Sequence, residues 1–446
     1  MDSYHVIIDD VMIDNIIKTD IAEARDLISF KQLLYLLLLG ILPSLYIYKV
    51  QIVKQTFKKA VISKSILMIS SLLIAVICIL SLGGFYASFL RENKSLRNYS
   101  NPSYYLYSIG KYISNFYSSE TEEFTLIGKD AHIFPVVPDR ELIIVVVGET
   151  ARADHFSVNG YARKTTPNLE QHSIISFDNV WSCGTSTAVS VPCIFAQANH
   201  SNYDNNKAKA TSNLLDITVL TGSNVLWLDN NSSSKGVADR VEYINYKTAD
   251  NNPVCDNECR DIGMLSNLQS YVDAHPIGDI FIVLHQMGNH GPAYYKRYPK
   301  EFERFTPTCK TNQLEQCSSE EINNAYDNAI LYTDYFLSET INLLKKNDNA
   351  FETAMLYISD HGESLGESGI YLHGLPYMIA PDTQKHVPMI MWFGRNYDLS
   401  KRNLERLKIR SHQKYSHDNL FHTLLGMFEI KTNIYKANLD IIPHDD

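Results

Sequence analysis

The sequence predicts an α/β protein, a mostly parallel sheet flanked by helices, preceded by an N-terminal membrane region with two transmembrane helices. Three observations carry this. Two long uncharged runs lie near the start of the chain, five short apolar and β-branched runs recur after residue 139, and helical patterns fill the intervals between those runs. With 446 residues, 45% of them hydrophobic and 20% charged, the chain can bury a sizeable core in one or two domains.

The membrane runs come first. Residues 32–48 (QLLYLLLLGILPSLYIY) and 65–90 (SILMISSLLIAVICILSLGGFYASFL) carry no charge, and a helix needs about 20 apolar residues to cross a bilayer. Pro43 in the first run is tolerated better in lipid than in water. The loop 49–64 holds Lys49, Lys54, Lys58, Lys59 and Lys64 and no acid, whereas the first 30 residues hold seven acids and two bases. The positive-inside bias therefore places the loop in the cytoplasm and both ends outside. No cleavable signal peptide is visible in the acidic N-terminus. Cys78 lies in the second run, and the other six cysteines form close pairs, Cys183/Cys193, Cys255/Cys259 and Cys309/Cys317. None has zinc-ribbon spacing, so three short-loop disulfides in an oxidising compartment are expected. Residues 91–138 read as a Tyr-, Ser- and Asn-rich juxtamembrane linker, with Tyr105, Tyr112 and Phe116 spaced for an interfacial helix. The expected organisation is a membrane region over 1–90, this linker, and a catalytic domain over 139–446.

The α/β domain follows. ELIIVVVG (141–148), NVLWLD (224–229), DIFIVLHQ (279–286), TAMLYISD (353–360) and VPMIMWF (387–393) read as buried strands, and helical patterns fall near 187–198, 212–221, 262–274, 321–346 and 414–428. In such sheets chemistry sits beyond the carboxyl ends of the strands. Glu149 follows the first strand; His285 and Asn289-His290-Gly291 follow the third; Asp360-His361-Gly362-Glu363 and then His373 follow the fourth. Taken singly, Glu149 could cap a helix, and His285 reads as a core histidine. Together these carboxylates and imidazoles form a donor set that zinc accepts. The segment 182–193 (SCGTSTAVSVPC) supplies hydroxyls at a helix start, where negative charge is favoured. Its spacing leaves Thr185, Ser186 and Thr187 open as nucleophile, with an ordinary N-cap as the alternative for each. A formal net charge of −10 without a long basic stretch excludes a nucleic-acid backbone footprint.

The segments VVVGETARADHFSVNGY, SCGTSTAVSVPC, NHGPAYYKRYP, SDHGESLGESGIYLHGLPY and APDTQKHVP resemble those of the phosphoethanolamine transferases that modify lipid A, including the mobile colistin-resistance enzymes. The resemblance runs from about residue 5 to 430. It implies an alkaline phosphatase/sulfatase-like fold, Thr187 as the nucleophile, and Glu149, Thr187, Asp360 and His361 around one tightly bound Zn2+. It further implies His290 and His373 near a second zinc or the phosphoryl group, and Lys235 in contact with substrate. Asn15, Thr19 and Glu23, spaced i, i+4, i+8 on one helix face, match positions that contact the ethanolamine head group. The implied donor is phosphatidylethanolamine and the acceptor a lipid A phosphate, with diacylglycerol released and polymyxin resistance as the outcome. Core-oligosaccharide sugars or periplasmic glucans are the alternative acceptors. A phosphodiesterase-type hydrolase is the alternative reaction, while a sulfatase is disfavoured because nothing resembling its Cys/Ser-x-Pro-x-Arg motif surrounds Thr187. The implied location is the bacterial inner membrane, with a monomeric chain and its catalytic domain in the periplasm. The family has five membrane helices, of which this chain is expected to carry the last two.

Overall fold

The two uncharged runs form helices long and apolar enough to cross a membrane, Phe30–Lys49 and Phe57–Ile79. This is seen in a computed structural model of the chain, which describes residues 7–18, 24, 28–51, 56–92, 94–119, 123–134, 139–397 and 401–442. Ser29 caps the first helix through a reciprocal capping box with Gln32. A π-helical segment, Leu36–Ile41, precedes the turn that holds Pro43. Proline supplies no N–H and crowds the carbonyl four residues back, and widening the preceding turn accommodates both. The second helix runs Phe57–Glu92, so Lys58, Lys59 and Lys64 occupy its opening turns and not the connecting loop expected over 49–64. Tyr105 and Tyr112 lie on a helix, Ser103–Ser119.

The chain divides into two compact units, one of residues 27–107 and one of residues 1–26 with 108–446. In the larger unit helix α1 (Asp10–Lys18) precedes an eight-stranded sheet. Its strands are β1 (Glu141–Gly148), β2 (Ile175–Trp181), β3 (Asn224–Asp229), β4 (Glu242–Asn245), β5 (Ile280–His285), β6 (Glu352–Ser359), β7 (His386–Phe393) and β8 (Tyr415–Ser416), in the spatial order β8-β2-β7-β6-β1-β5-β3-β4. Strands β6, β1, β5, β3 and β4 run parallel. Alternate residues of β1 serve two cores. Ile143, Val145 and Val147 pack with helix α2 (Thr187–Phe195) and with Leu420–Met427. Leu142, Ile144 and Val146 pack under helix α3 (Ser319–Asn347). Burial on both faces is why these strands read as unbroken apolar runs.

The sheet departs from the parallel expectation at β7, which is antiparallel to both β2 and β6. Residues 360–385 make no helical crossover after β6. The chain therefore stays at the carboxyl edge, and the next strand has to run back from there. Three strands were not legible in the sequence. β2 alternates around polar Asp178 and Asn179, β4 is a short exposed edge, and β8 has only two residues. Of the helical pattern expected over 414–428, a 3-10 turn forms at His417–Asn419 and an α-helix at Leu420–Met427.

Candidate active site

Parallel order brings Gly148, paired with Ser359 of β6, and His285, paired with Val147, to one edge of the sheet. Gly148 is required there, because a Cβ would lie 2.6 Å from the Tyr357 ring. The next residue, Glu149, is fully buried. Thr150 then adopts a left-handed backbone (φ 51°). Its N–H donates to Asp360 Oδ1 at 3.1 Å and its carbonyl accepts from the Tyr326 hydroxyl at 2.6 Å.

The three hydroxyls of this segment point in different directions. Thr185 donates to the Leu375 carbonyl at 2.6 Å. Ser186 occupies the N-cap position of α2 without a side-chain cap bond. Thr187, 8% exposed, points Oγ1 at Glu149 Oε2 (3.1 Å) and lies 3.4 Å from His361 Nε2. The disulfide Cys183–Cys193 brackets the turn into α2, and Cys255–Cys259 and Cys309–Cys317 pair as their spacing predicted. His417 ties this turn to β6: its Nδ1 accepts from the Cys183 N–H at 3.2 Å, so Nε2–H donates to the Ser359 carbonyl at 3.0 Å. Burial holds that imidazole neutral, with its pKa lowered to about 3.

Glu149, Asp360 and His361, all fully buried, present donor atoms within 4.8 Å of one another. His361 Nδ1 lies 2.9 Å from the Gly362 carbonyl and donates to it. Nε2 then carries its lone pair toward Asp360 Oδ2 (3.3 Å) and Glu149 Oε1 (3.5 Å). Asp360 Oδ2 is buried with no hydrogen-bond partner among the described residues. Lone pairs converging in a dry pocket repel unless a proton or cation sits between them, so the donor set fits a divalent metal. The electrostatics agree. Burial, and then Asp360, pushes Glu149 up to about 8; burial pushes Asp360 up to about 7; burial and then His373 lower His361 to about 4.

A second donor group, Glu149, His290 and His373, meets the same 4.8 Å limit. Glu149 is thus common to both groups, which the sequence did not foretell. His373 Nδ1 lies 2.9 Å from Glu363 Oε2, and Glu363 Oε1 accepts from the Tyr294 hydroxyl at 3.0 Å. That fixes the ring with Nε2 available for the site. Gly288 (φ 50°) lets the chain pass Glu149, since a Cβ there would sit 2.9 Å from the Glu149 carbonyl oxygen.

A buried hydroxyl facing such a donor set suits metal-assisted ester chemistry. Two families match: Sulfatase over residues 141–430, and Phosphoethanolamine transferase EptA/EptB over residues 1–117. The chain is 41% identical to Phosphatidylethanolamine transferase Mcr-1 of Escherichia coli, over 98% of this chain and 81% of that protein. It belongs to the phosphoethanolamine transferase family. Phosphoethanolamine transferase EptA of Salmonella typhimurium is 42% identical over 99% of this chain and 81% of its own length. Among solved structures, the integral membrane lipooligosaccharide phosphoethanolamine transferase A (EptA) from Neisseria meningitidis superposes with a TM-score of 0.92 at 36% identity. It covers 98% of this chain and 83% of that one.

Other candidates of this transferase are placed less directly. The Lys235 ammonium contacts the Ser232 hydroxyl at 2.5 Å and the Ser232 carbonyl at 3.3 Å. It shares a loop with Asn231, whose amide donates to Glu149 Oε2 and to the Gln286 carbonyl, both at 2.8 Å. Asn15 lies on α1, which packs against α2; Thr19 and Glu23 lie outside the described residues. His285 is buried with Nδ1 3.0 Å from Asp229 Oδ2, but its Nε2 has no partner among the described residues. It is therefore not the satisfied core histidine that was expected. The sequence reading missed Asn231, although it follows strand NVLWLD at the same edge and the carboxyl-end rule points to it. Nothing in the sequence marked Tyr294 or His417.

Proposed function

We propose that this transferase moves phosphoethanolamine from phosphatidylethanolamine to a lipid A phosphate through a covalent ester on Thr187, releasing diacylglycerol. The supporting observation is the Thr187 hydroxyl aimed at Glu149 and His361 inside a buried donor set. The names of the relatives supply the donor, phosphatidylethanolamine, and a lipooligosaccharide acceptor.

Glu149, Thr187, Asp360 and His361 would hold one zinc ion, and His290 and His373 flank the phosphoryl group. Bound there, zinc supplies Lewis-acid stabilisation of phosphoryl oxygen charge and eases ionisation of the hydroxyl. The chain's own residues do the remainder. In the first half, Thr187 Oγ1 forms the bond to phosphorus while its proton passes to Glu149 Oε2, 3.1 Å away. The phosphorus–glycerol oxygen bond breaks, and the departing oxygen takes a proton from His373, with His290 beside it. In the second half an oxygen of the acceptor phosphate attacks the Thr187 ester and returns its proton to His373. Thr187 leaves and recovers its own proton from Glu149. Lys235 and Asn231 line the approach to the phosphoryl oxygens. Asn15, Thr19 and Glu23 hold the ethanolamine ammonium, which Glu23 complements in charge.

Residues 1–90 then serve as membrane region, 91–138 as linker and 139–446 as catalytic domain. The chain sits in the bacterial inner membrane, with the disulfide-bearing unit in the oxidising periplasm. Masking lipid A phosphate with an ammonium lowers its attraction for cationic polymyxins. Mass spectrometry of lipid A from cells expressing the chain tests the proposal. Phosphoethanolamine added to lipid A is the expected result, whereas addition only to core sugars or glucans, or free phosphoethanolamine alone, would contradict it.

A further inference from the structure

The geometry points to Tyr326, on helix α3, as a positioning residue of the carboxylate donors: its hydroxyl holds Thr150 in the left-handed turn through which Glu149 and Asp360 converge. This rests on the reading that the donor set binds zinc. Thr150 is the only β-branched residue with a positive φ among the described residues. A branched Cβ crowds the backbone in that conformation, which persists only where the surroundings impose it. No bond from its own side chain offsets the strain, since the Thr150 hydroxyl is buried without a partner among the described residues. The backbone is held instead. Thr150 N–H donates to Asp360 Oδ1, and Ala151 N–H donates to Ser359 Oγ at 2.8 Å. Helix α3 supplies the rest: the Tyr326 hydroxyl donates to the Thr150 carbonyl at 2.6 Å and accepts the Arg152 N–H at 3.0 Å. Both of its hydrogen-bonding roles thus go to the backbone on either side of Ala151.

If Thr150 relaxed to an ordinary extended backbone, two donors would move at once. Glu149 directly precedes it, so the carboxylate would turn away from His361. The Thr150 N–H would also leave Asp360 Oδ1. That oxygen accepts both this N–H and the His361 N–H (2.7 Å), which leaves Oδ2, buried and unpartnered, for the metal. A conformation that threonine disfavours therefore sets the aim of two carboxylates, and a phenol from a helix keeps it in place. Tyr326 reaches the neighbouring loop as well. Its ring meets the Tyr294 ring edge-on at 5.4 Å, and its carbonyl accepts from the Asn289 amide at 3.3 Å. One helix residue thus touches the loops after β1 and β5 that carry Glu149 and His290. Replacing it with phenylalanine keeps the ring and the carbonyl and removes only the hydroxyl.

The test uses the full chain in detergent, stripped of metal by chelation. Zinc affinity is read by competition with a chromophoric chelator, so transfer plays no part. Y326F should bind zinc about ten-fold more weakly than the wild type. T150G should stay within about two-fold of the wild type, because glycine takes a positive φ without being held. In the T150G background the hydroxyl should then matter little, with Y326F/T150G within about three-fold of T150G. A hydroxyl that only stabilised the core would leave affinity unmoved or cost the same in both backgrounds. Y326F binding as tightly as the wild type, or an equal loss in both backgrounds, would therefore overturn the inference. Should Y326F alone fail to fold by circular dichroism, Y326F/T150G must fold and meet the same limit. A double variant that also fails to fold would overturn the inference. A wild-type chain that binds no zinc would instead overturn the donor-set reading on which the inference rests.

Discussion

Strand β1 carries a buried glutamate at each end, and each faces a buried aspartate. At the amino edge Glu141 meets Asp279, whose Oδ1 accepts the Glu141 N–H at 3.1 Å. At the carboxyl edge Glu149 follows the strand and meets Asp360. Both glutamates are pushed far above the usual carboxylate range, Glu141 to about 9 and Glu149 to about 8, burial being the larger cause in each. Yet only Glu149 stands among donors, with His361, His290, His373 and the Thr187 hydroxyl around it. Neither Glu141 nor Asp279 belongs to a metal-competent group among the described residues. At the amino edge Arg140 donates to the Gly278 and His275 carbonyls and anchors loops. A perturbed carboxyl is thus a sign of burial. It becomes a site when lone pairs from several strand ends converge on it.

The largest way to break this contrast is at Thr187, the proposed nucleophile. Thr187→Ala should lower transfer on the order of ten-thousand-fold, measured as labelled phosphoethanolamine reaching lipid A. Next, Glu149→Gln should cost at least about a hundred-fold in zinc affinity, whereas Glu141→Gln should leave zinc content unchanged by elemental analysis. Equal loss in both variants would erase the distinction between the edges. Third, chelation should lower the Tm of the wild type by several degrees, recovered by adding zinc, and should do little to Glu149→Gln, which has no bound ion to lose.

A smaller effect tests the amino edge. Because the Glu141 carboxyl is raised from 4.5 to about 9, the folded state holds a proton that the unfolded chain releases. The stability from this group is full below about pH 4.5 and is lost as pH rises toward 9. Glu141→Gln should therefore raise Tm by a few degrees at pH 8 and leave it nearly unchanged at pH 5. The smallest effect concerns orientation. Tyr294→Phe removes the bond to Glu363 that fixes His373, a loss of about 1 kcal/mol, and should slow turnover roughly five-fold with zinc content intact.

How much of this was legible depends on which physical signal each part left. The strands β1, β3, β5, β6 and β7 announced themselves because burial on both faces makes continuous apolar runs, and Glu149, Asp360 and His361 followed from the rule that chemistry gathers at carboxyl ends. The direction of β7 was not legible, because antiparallel pairing was decided by the missing crossover over 360–385. β2 escaped because only one face is buried and Asp178-Asn179 interrupts the pattern. Thr187 could not be separated from its neighbours by spacing; what separates them is where each hydroxyl points, with Thr185 turned to the Leu375 carbonyl. Tyr294 reaches a partner 69 residues away, and His417 partners 58 and 234 residues away. A single sequence carries no local trace of such contacts.

The central claim is that the carboxyl-edge donor set makes the Thr187 oxygen reactive. The most direct measurement incubates the full-length chain with phosphatidylethanolamine and no acceptor, then maps modified peptides by mass spectrometry with and without a chelator. The expected result is one phosphoethanolamine group on Thr187 that disappears when the metal is removed. A group carried by Thr185 or Ser186 instead, or one formed on Thr187 equally well after chelation, would contradict it.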